Sequence, residues 1–80
     1  MKSKMRMYLV NARQEKAYSQ RKTAREAQLT FQHYSKIESG ERGERMSLLT
    51  GGRIAKALGM SIDDFFDLET KYQEELDVVD

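Results

Sequence analysis

The side chains able to do chemistry gather in one stretch. From Phe31 the chain reads Phe-Gln-His-Tyr-Ser-Lys-Ile-Glu. A helix over Phe31 to about Glu38 turns Tyr34 and Ile37 to one side and leaves Phe31, Gln32, Ser35 and Lys36 on the other. Those outer types match the edges of base pairs. A glutamine amide pairs bidentately with adenine, a lysine donates to guanine, and an aromatic ring packs on thymine methyls. A helix about 12 Å across fits the major groove of B-form DNA. Each residue also has a plainer reading: Phe31 packed against a neighbouring helix, Gln32 and Lys36 solvated, Ser35 bonded to its own backbone.

Other chemistries lack their residues. There is no cysteine and a single histidine, His33. That excludes disulfides, thiolate metal sites and histidine clusters. No glycine-rich phosphate cradle is present, and Gly51-Gly52 does not form one. No catalysis, cofactor or metal is expected. The net charge of +1 conceals an uneven distribution. Up to Met60 there are thirteen Lys/Arg against five Asp/Glu, and from Ser61 onward one Lys against eight Asp/Glu. The basic body attracts polyanions and the acidic tail repels them. The charged start Met1-Lys2-Ser3-Lys4 leads into no long apolar run, so the expectation is a soluble cytoplasmic protein with no membrane contact.

The elements that must hold these side chains are all helical. Eighty residues suffice for one small domain, there is no proline, and strand-like alternation is missing. Five helices are expected. The first spans about Met5 to Lys16, with Met5, Leu9, Ala12 and Lys16 on one stripe. Ser19 caps the second, Gln20 to about Ala27, whose small Ala24 and Ala27 let another helix approach. After the turn Gln28-Leu29-Thr30, Thr30 caps the third, and Gly40 ends it in a left-handed conformation. Ser47 caps a fourth, Leu48 to about Leu58, with Leu48, Ile54, Ala55 and Leu58 inward; close approach of another backbone would explain Gly51 and Gly52. Ser61 caps the last, in which Ile62, Phe65 and Phe66 close the core.

The run from Ser19 to Arg42 resembles the helix-turn-helix of the Cro/C1-type (XRE) repressor family, whose pattern is roughly S-Q-x-x-hydrophobic-A, then hydrophobic-[ST], then S-x-hydrophobic-E-x-G-x-R. Arg53 to Phe66 looks like the family's fourth and fifth helices, so the resemblance covers about Met5 to Phe66. It implies an all-α, five-helix, lambda-repressor-like DNA-binding domain over residues 1–66, with 67–80 as an acidic C-terminal helical extension. Phe31, Gln32 and Lys36 fall on the family's base-facing positions, with Ser35 beside them. Gln20 falls on the residue that touches the DNA backbone and braces the reading helix. Ser39, Arg42, Arg45 and His33 are the other phosphate candidates, while Arg21 and Lys22 act at most as distant attractors. An ion pair between Arg13 and Glu38 is implied as a structural feature. Three departures stand out: Thr23 where the family often has leucine, Gln28 where glycine is common, and a loop after Gly40 two residues longer than usual.

One reading helix buries too little surface for selective binding, which points to a homodimer on paired half-sites. Phe65, Leu68, Tyr72 and Leu76 fall at spacings of three, four and four and form the candidate dimer seam. The resulting expectation is a small sequence-specific regulator of transcription, a repressor, with duplex DNA as partner. The alternative is a protein-interaction module, such as an antitoxin or co-regulator, using its C-terminal face toward a regulatory protein.

Overall fold

The computed structural model describes residues 4–41 and 46–78. Among them every regular element is a helix: α1 Met7–Glu15, α2 Gln20–Glu26, α3 Phe31–Ser39, α4 Leu48–Ala57 and α5 Ile62–Val78. Short polar caps fix most of the starts. Ser19, Thr30 and Ser47 each accept a hydrogen bond from the backbone N–H three residues on, and Ser61 does the same for Asp64.

The turns depend on left-handed residues. Gly40 ends α3 with φ +88°. A Cβ there would stand 2.1 Å from the Lys4 carbonyl oxygen, so both conformation and space require glycine. Gln28, where the family favours glycine, takes φ +61° itself. Ala17, after α1, takes φ +58°. The turn at Gln28 is closed by Leu29 N–H donating to the Ala24 carbonyl at 2.9 Å.

α2 packs on α3 and α4, α4 on α5, and α1 on α3. Between them lies a core of Leu9, Ala24, Ala27, Tyr34, Ile37, Ile54, Ala55, Leu58 and Phe65. Thr23 is fully buried, yet its hydroxyl donates to the Ser19 carbonyl at 2.9 Å, so replacing the family's leucine leaves no unsatisfied polar group.

Several expectations about facing are corrected. α1 starts at Met7, and Met5 stays exposed, because the backbone turns tightly at Arg6, where Met7 N–H donates to the Met5 carbonyl at 2.9 Å, and Arg6 N–H donates to the Glu38 carbonyl at 2.8 Å. Lys16 is exposed, and Val10 is buried in its place. Leu48 is 67% exposed, since the buried stripe of α4 begins one turn later at Gly51. Gly51 is needed for a ring, not a backbone: a Cβ there would stand 2.9 Å from Phe65 Cε2. Phe65 is buried, but Ile62 and Phe66 are exposed. Neighbouring residues on a helix point about 100° apart, so Phe65 and Phe66 cannot share one face.

α5 crosses position 66 without a break. Its second half packs back on the segment before α1. Arg6, only 1% exposed, donates Nε to Glu69 Oε1 at 2.9 Å and Nη2 to Oε2 at 2.8 Å. Its Nη1 donates to the Ile37 carbonyl at 2.7 Å, and its guanidinium lies 4.4 Å from the centre of the Tyr72 ring. The Tyr8 hydroxyl and Gln73 Nε2 also donate to Glu69. Burial alone would push the Glu69 carboxyl up, but these donors and the Arg6 charge hold it below its ordinary value.

Candidate nucleic-acid interface

The candidate surface is built on α2, its turn and α3. Tyr34 and Ile37 anchor α3 to the core, both essentially inaccessible. On the opposite face Gln32, His33 and Lys36 are exposed, and Phe31 and Ser35 are half-buried. The first turn of α3 thus presents Phe31, Gln32 and His33, with Lys36 one turn further along.

What fixes α3 against α2 and α1 is one buried carboxylate. Glu38 is 1% exposed and accepts four hydrogen bonds. Arg13 donates Nε to Oε2 at 2.8 Å and Nη2 to Oε1 at 3.0 Å, a bidentate pair. Gln20 Nε2 donates to Oε1 at 2.7 Å, and the Tyr34 hydroxyl to Oε2 at 2.7 Å. Burial pushes Glu38 upward, but the Arg13, Gln20 and Tyr34 donors outweigh it and its pKa lies below the usual carboxylate value. Tyr34 is driven well above the ordinary phenol range, first by burial and then by its bond to Glu38. Arg13 and Glu38 therefore meet as the resemblance implied. Gln20 braces the end of α3 through its amide nitrogen.

The remaining phosphate candidates are placed unevenly. Ser39 Oγ donates to the Lys36 carbonyl at 3.1 Å and lies 3.2 Å from Glu41 Oε2, so its hydroxyl is engaged locally. The His33 side chain is exposed at the rim, while its backbone N–H is taken by Thr30 Oγ1 at 3.1 Å. Arg42 and Arg45 lie outside the described residues. Around the face, Arg21, Arg25 and Lys36 are exposed cations, and Lys22 is half-buried with its Nζ 5.0 Å from the Tyr18 ring centre. Arg21 stacks over Phe31, its Cζ 4.2 Å from the ring centre.

The seam expected for dimerisation is divided. Phe65 and Tyr72 are 2% and 6% exposed, so their rings are spent inside the chain, whereas Leu68 and Leu76 are half-exposed. The apolar side chains that do face outward at this end are Leu48 and Leu49 at the start of α4 and Ile62 and Phe66 at the start of α5. A Cβ on Gly52 would lie 4.0 Å from Ile62 Cδ1, so the start of α5 lies against α4 at this position.

Sequence reasoning missed two features of this surface: the Arg21–Phe31 stack and the Arg6–Glu69 pair behind α3. The first was open to inspection, since both residues start adjacent helices. The second joins positions too far apart for any local pattern to reveal. Among the described residues no group of three or more His, Asp or Glu could hold a metal ion, and no helix is long and apolar enough to cross a membrane.

Comparison with protein families matches residues 9–65 to a model described as helix-turn-helix. Comparison with curated proteins and with solved structures gave no match.

Proposed function

The chain belongs to the Cro/C1-type (XRE) helix-turn-helix family of DNA-binding transcription regulators, and from that membership we propose that it reads a specific duplex sequence by laying α3 in the major groove. The observation that carries this reading is the Glu38 cluster. It ties Arg13, Gln20 and Tyr34 to the end of α3 and leaves Phe31, Gln32 and Lys36 on the free side of that helix. A reading helix must be held to within a fraction of an ångström for base contacts to discriminate, and a satisfied buried carboxylate does that.

In this reading Gln32 pairs with adenine, Lys36 donates to guanine and Phe31 packs on a thymine methyl, with Ser35 beside them. Gln20 gives one N–H of its amide nitrogen to Glu38, which positions α3, and offers the second N–H to a DNA phosphate. His33, Arg42 and Arg45 supply phosphate contacts, and Ser39 joins them by turning its hydroxyl from the Lys36 carbonyl to the phosphate. The protein acts as a repressor, by occupying its site, and it works in the cytoplasm with the DNA. It has no catalytic function.

A second copy completes the site. The apolar surface of Leu48, Leu49, Ile62 and Phe66 is where that copy docks; Leu68 points about 160° away from Phe66 around α5, into a groove with Met5 and Met7, and is not part of it. The same exposed surface supports the other reading, a regulatory protein partner at the C-terminal side. Sedimentation at micromolar concentration with and without DNA separates the two. A monomer in both conditions removes the dimer.

The reading helix is tested by Gln32→Ala in a binding titration. Affinity for the preferred site falls by about 1–3 kcal/mol, and selectivity relaxes at one base pair. Equal loss on every duplex would remove Gln32 from base reading.

A further inference from the structure

We propose that Arg21, which no family position assigns to base reading, is a specificity-determining residue whose guanidinium grips a guanine next to the base pair that Phe31 touches. The inference rests on the proposed docking of α3 and adds a contact to it.

Arg21 is the second residue of α2 and Phe31 the first of α3. The turn between the two helices brings them together, with the Arg21 guanidinium carbon 4.2 Å from the Phe31 ring centre. At that separation the cation sits on the negative face of the ring in van der Waals contact. The contact is made through the guanidinium's charge over the ring and engages none of its N–H groups in a hydrogen bond among the described residues. Its five N–H donors radiate from the edge and stay available. No carboxylate forms an ion pair with Arg21 among the described residues, and its side chain is exposed. The other arginines with defined partners, Arg6 and Arg13, are committed to Glu69 and Glu38. Arg21 is therefore an exposed fork resting on the Phe31 ring, with no carboxylate partner among the described residues.

Where Phe31 goes, that fork goes. If α3 brings Phe31 to a thymine methyl, the guanidinium arrives alongside, at the neighbouring base pair. Guanine O6 and N7 form the acceptor pair that a guanidinium meets bidentately in the major groove. The ring contact reduces the freedom the arginine loses on binding. Lysine could not replace it, because a single ammonium neither stacks as a plane nor donates in a fork.

The test uses the full-length chain and a duplex selected by the wild type from random sequence, together with every single base-pair change of that duplex. Wild type, Arg21→Ala, Arg21→Lys and Phe31→Leu are titrated on the whole panel, with thermal melts to establish that each is folded. In the wild type, replacing one guanine of each half-site weakens binding roughly 5- to 150-fold. In Arg21→Ala that discrimination disappears while the other positions keep theirs, and Arg21→Lys does not restore it. Phe31→Leu loosens the same guanine although Arg21 is intact, an effect that a merely structural role for the ring would not produce. If Arg21→Ala weakens all duplexes equally and lowers the salt slope by about one contact, Arg21 holds a phosphate and the proposal is overturned. If the wild type selects no sequence at all, the docking of α3 itself is overturned, and this inference falls with it.

Discussion

Removing the anion from the pair behind the reading helix is the most demanding perturbation of this fold. Arg6 is 1% exposed and Glu69, at its side chain, 16%. Glu69→Gln leaves a buried guanidinium without its counter-charge, which costs about 3–5 kcal/mol. For a domain whose whole stability is on the order of 5–15 kcal/mol, that is a large share. At about 4–8 °C per kcal/mol for a chain of this size, even the lower figure drops Tm by more than ~10 °C. Arg6→Met costs less on the charge side. The carboxylate left behind is partly hydrated and keeps the Tyr8 hydroxyl and Gln73 as donors. It forfeits the bond to the Ile37 carbonyl, worth about 1 kcal/mol. The double variant Arg6→Met/Glu69→Gln has no buried charge to strand, so its loss is smaller than the sum of the single losses by about 2–3 kcal/mol. The assay is urea unfolding followed by helical circular dichroism at neutral pH, with the denaturant slope checked for constancy. Strict additivity, or single losses under about 1 kcal/mol, would mean that the pair is solvated and does not fasten α5 to the end of α3.

The two adjacent glycines of α4 should respond in opposite directions to alanine. Gly51→Ala drives a Cβ to within 2.9 Å of the buried Phe65 ring and destabilises by about 1–3 kcal/mol, whereas Gly52→Ala meets only Ile62 at 4.0 Å and gains up to about 1 kcal/mol of helix propensity; equal melting temperatures would refute the packing account. Acid unfolding should be governed by Glu38 and Glu69. Both carboxyls titrate below their ordinary value in the fold, so the unfolded chain binds more protons as pH falls. Their stabilisation is complete above the unfolded carboxylate pKa and is lost as pH drops through the folded values. Glu38→Gln and Glu69→Gln should each flatten the acid limb of a stability profile, and an unchanged limb would contradict the assignment. Lys36→Met should reduce preference at one guanine and leave the other positions alone, read by the same duplex titration.

Local chemistry made much of this fold legible. A small hydroxyl before each of α2, α3, α4 and α5 announced its start, and all four caps form. Gly40 was expected to be left-handed because a helix ends there, and it is; Gln28, which the resemblance sets where the family has glycine, is left-handed too. Tyr34 and Ile37 share a face by spacing alone. Facing at the ends of helices was less legible. Leu48, Ile62 and Phe66 are apolar and were assigned inward, but the core is too small to reach them, and apolarity carries no direction. Arg6 was invisible for the opposite reason. A charged residue reads as solvated unless its partner is known, and that partner lies 63 positions away. The Arg13–Glu38 pair is also distant, and only the family resemblance brought it into view.

The measurement that bears most directly on the account is selection of random duplex DNA by the purified protein, followed by titration of the enriched sites against salt. The account predicts a palindromic site whose half-sites are centred about one helical turn apart, bound with an affinity that falls steeply as salt rises. No enrichment at any salt concentration would contradict it.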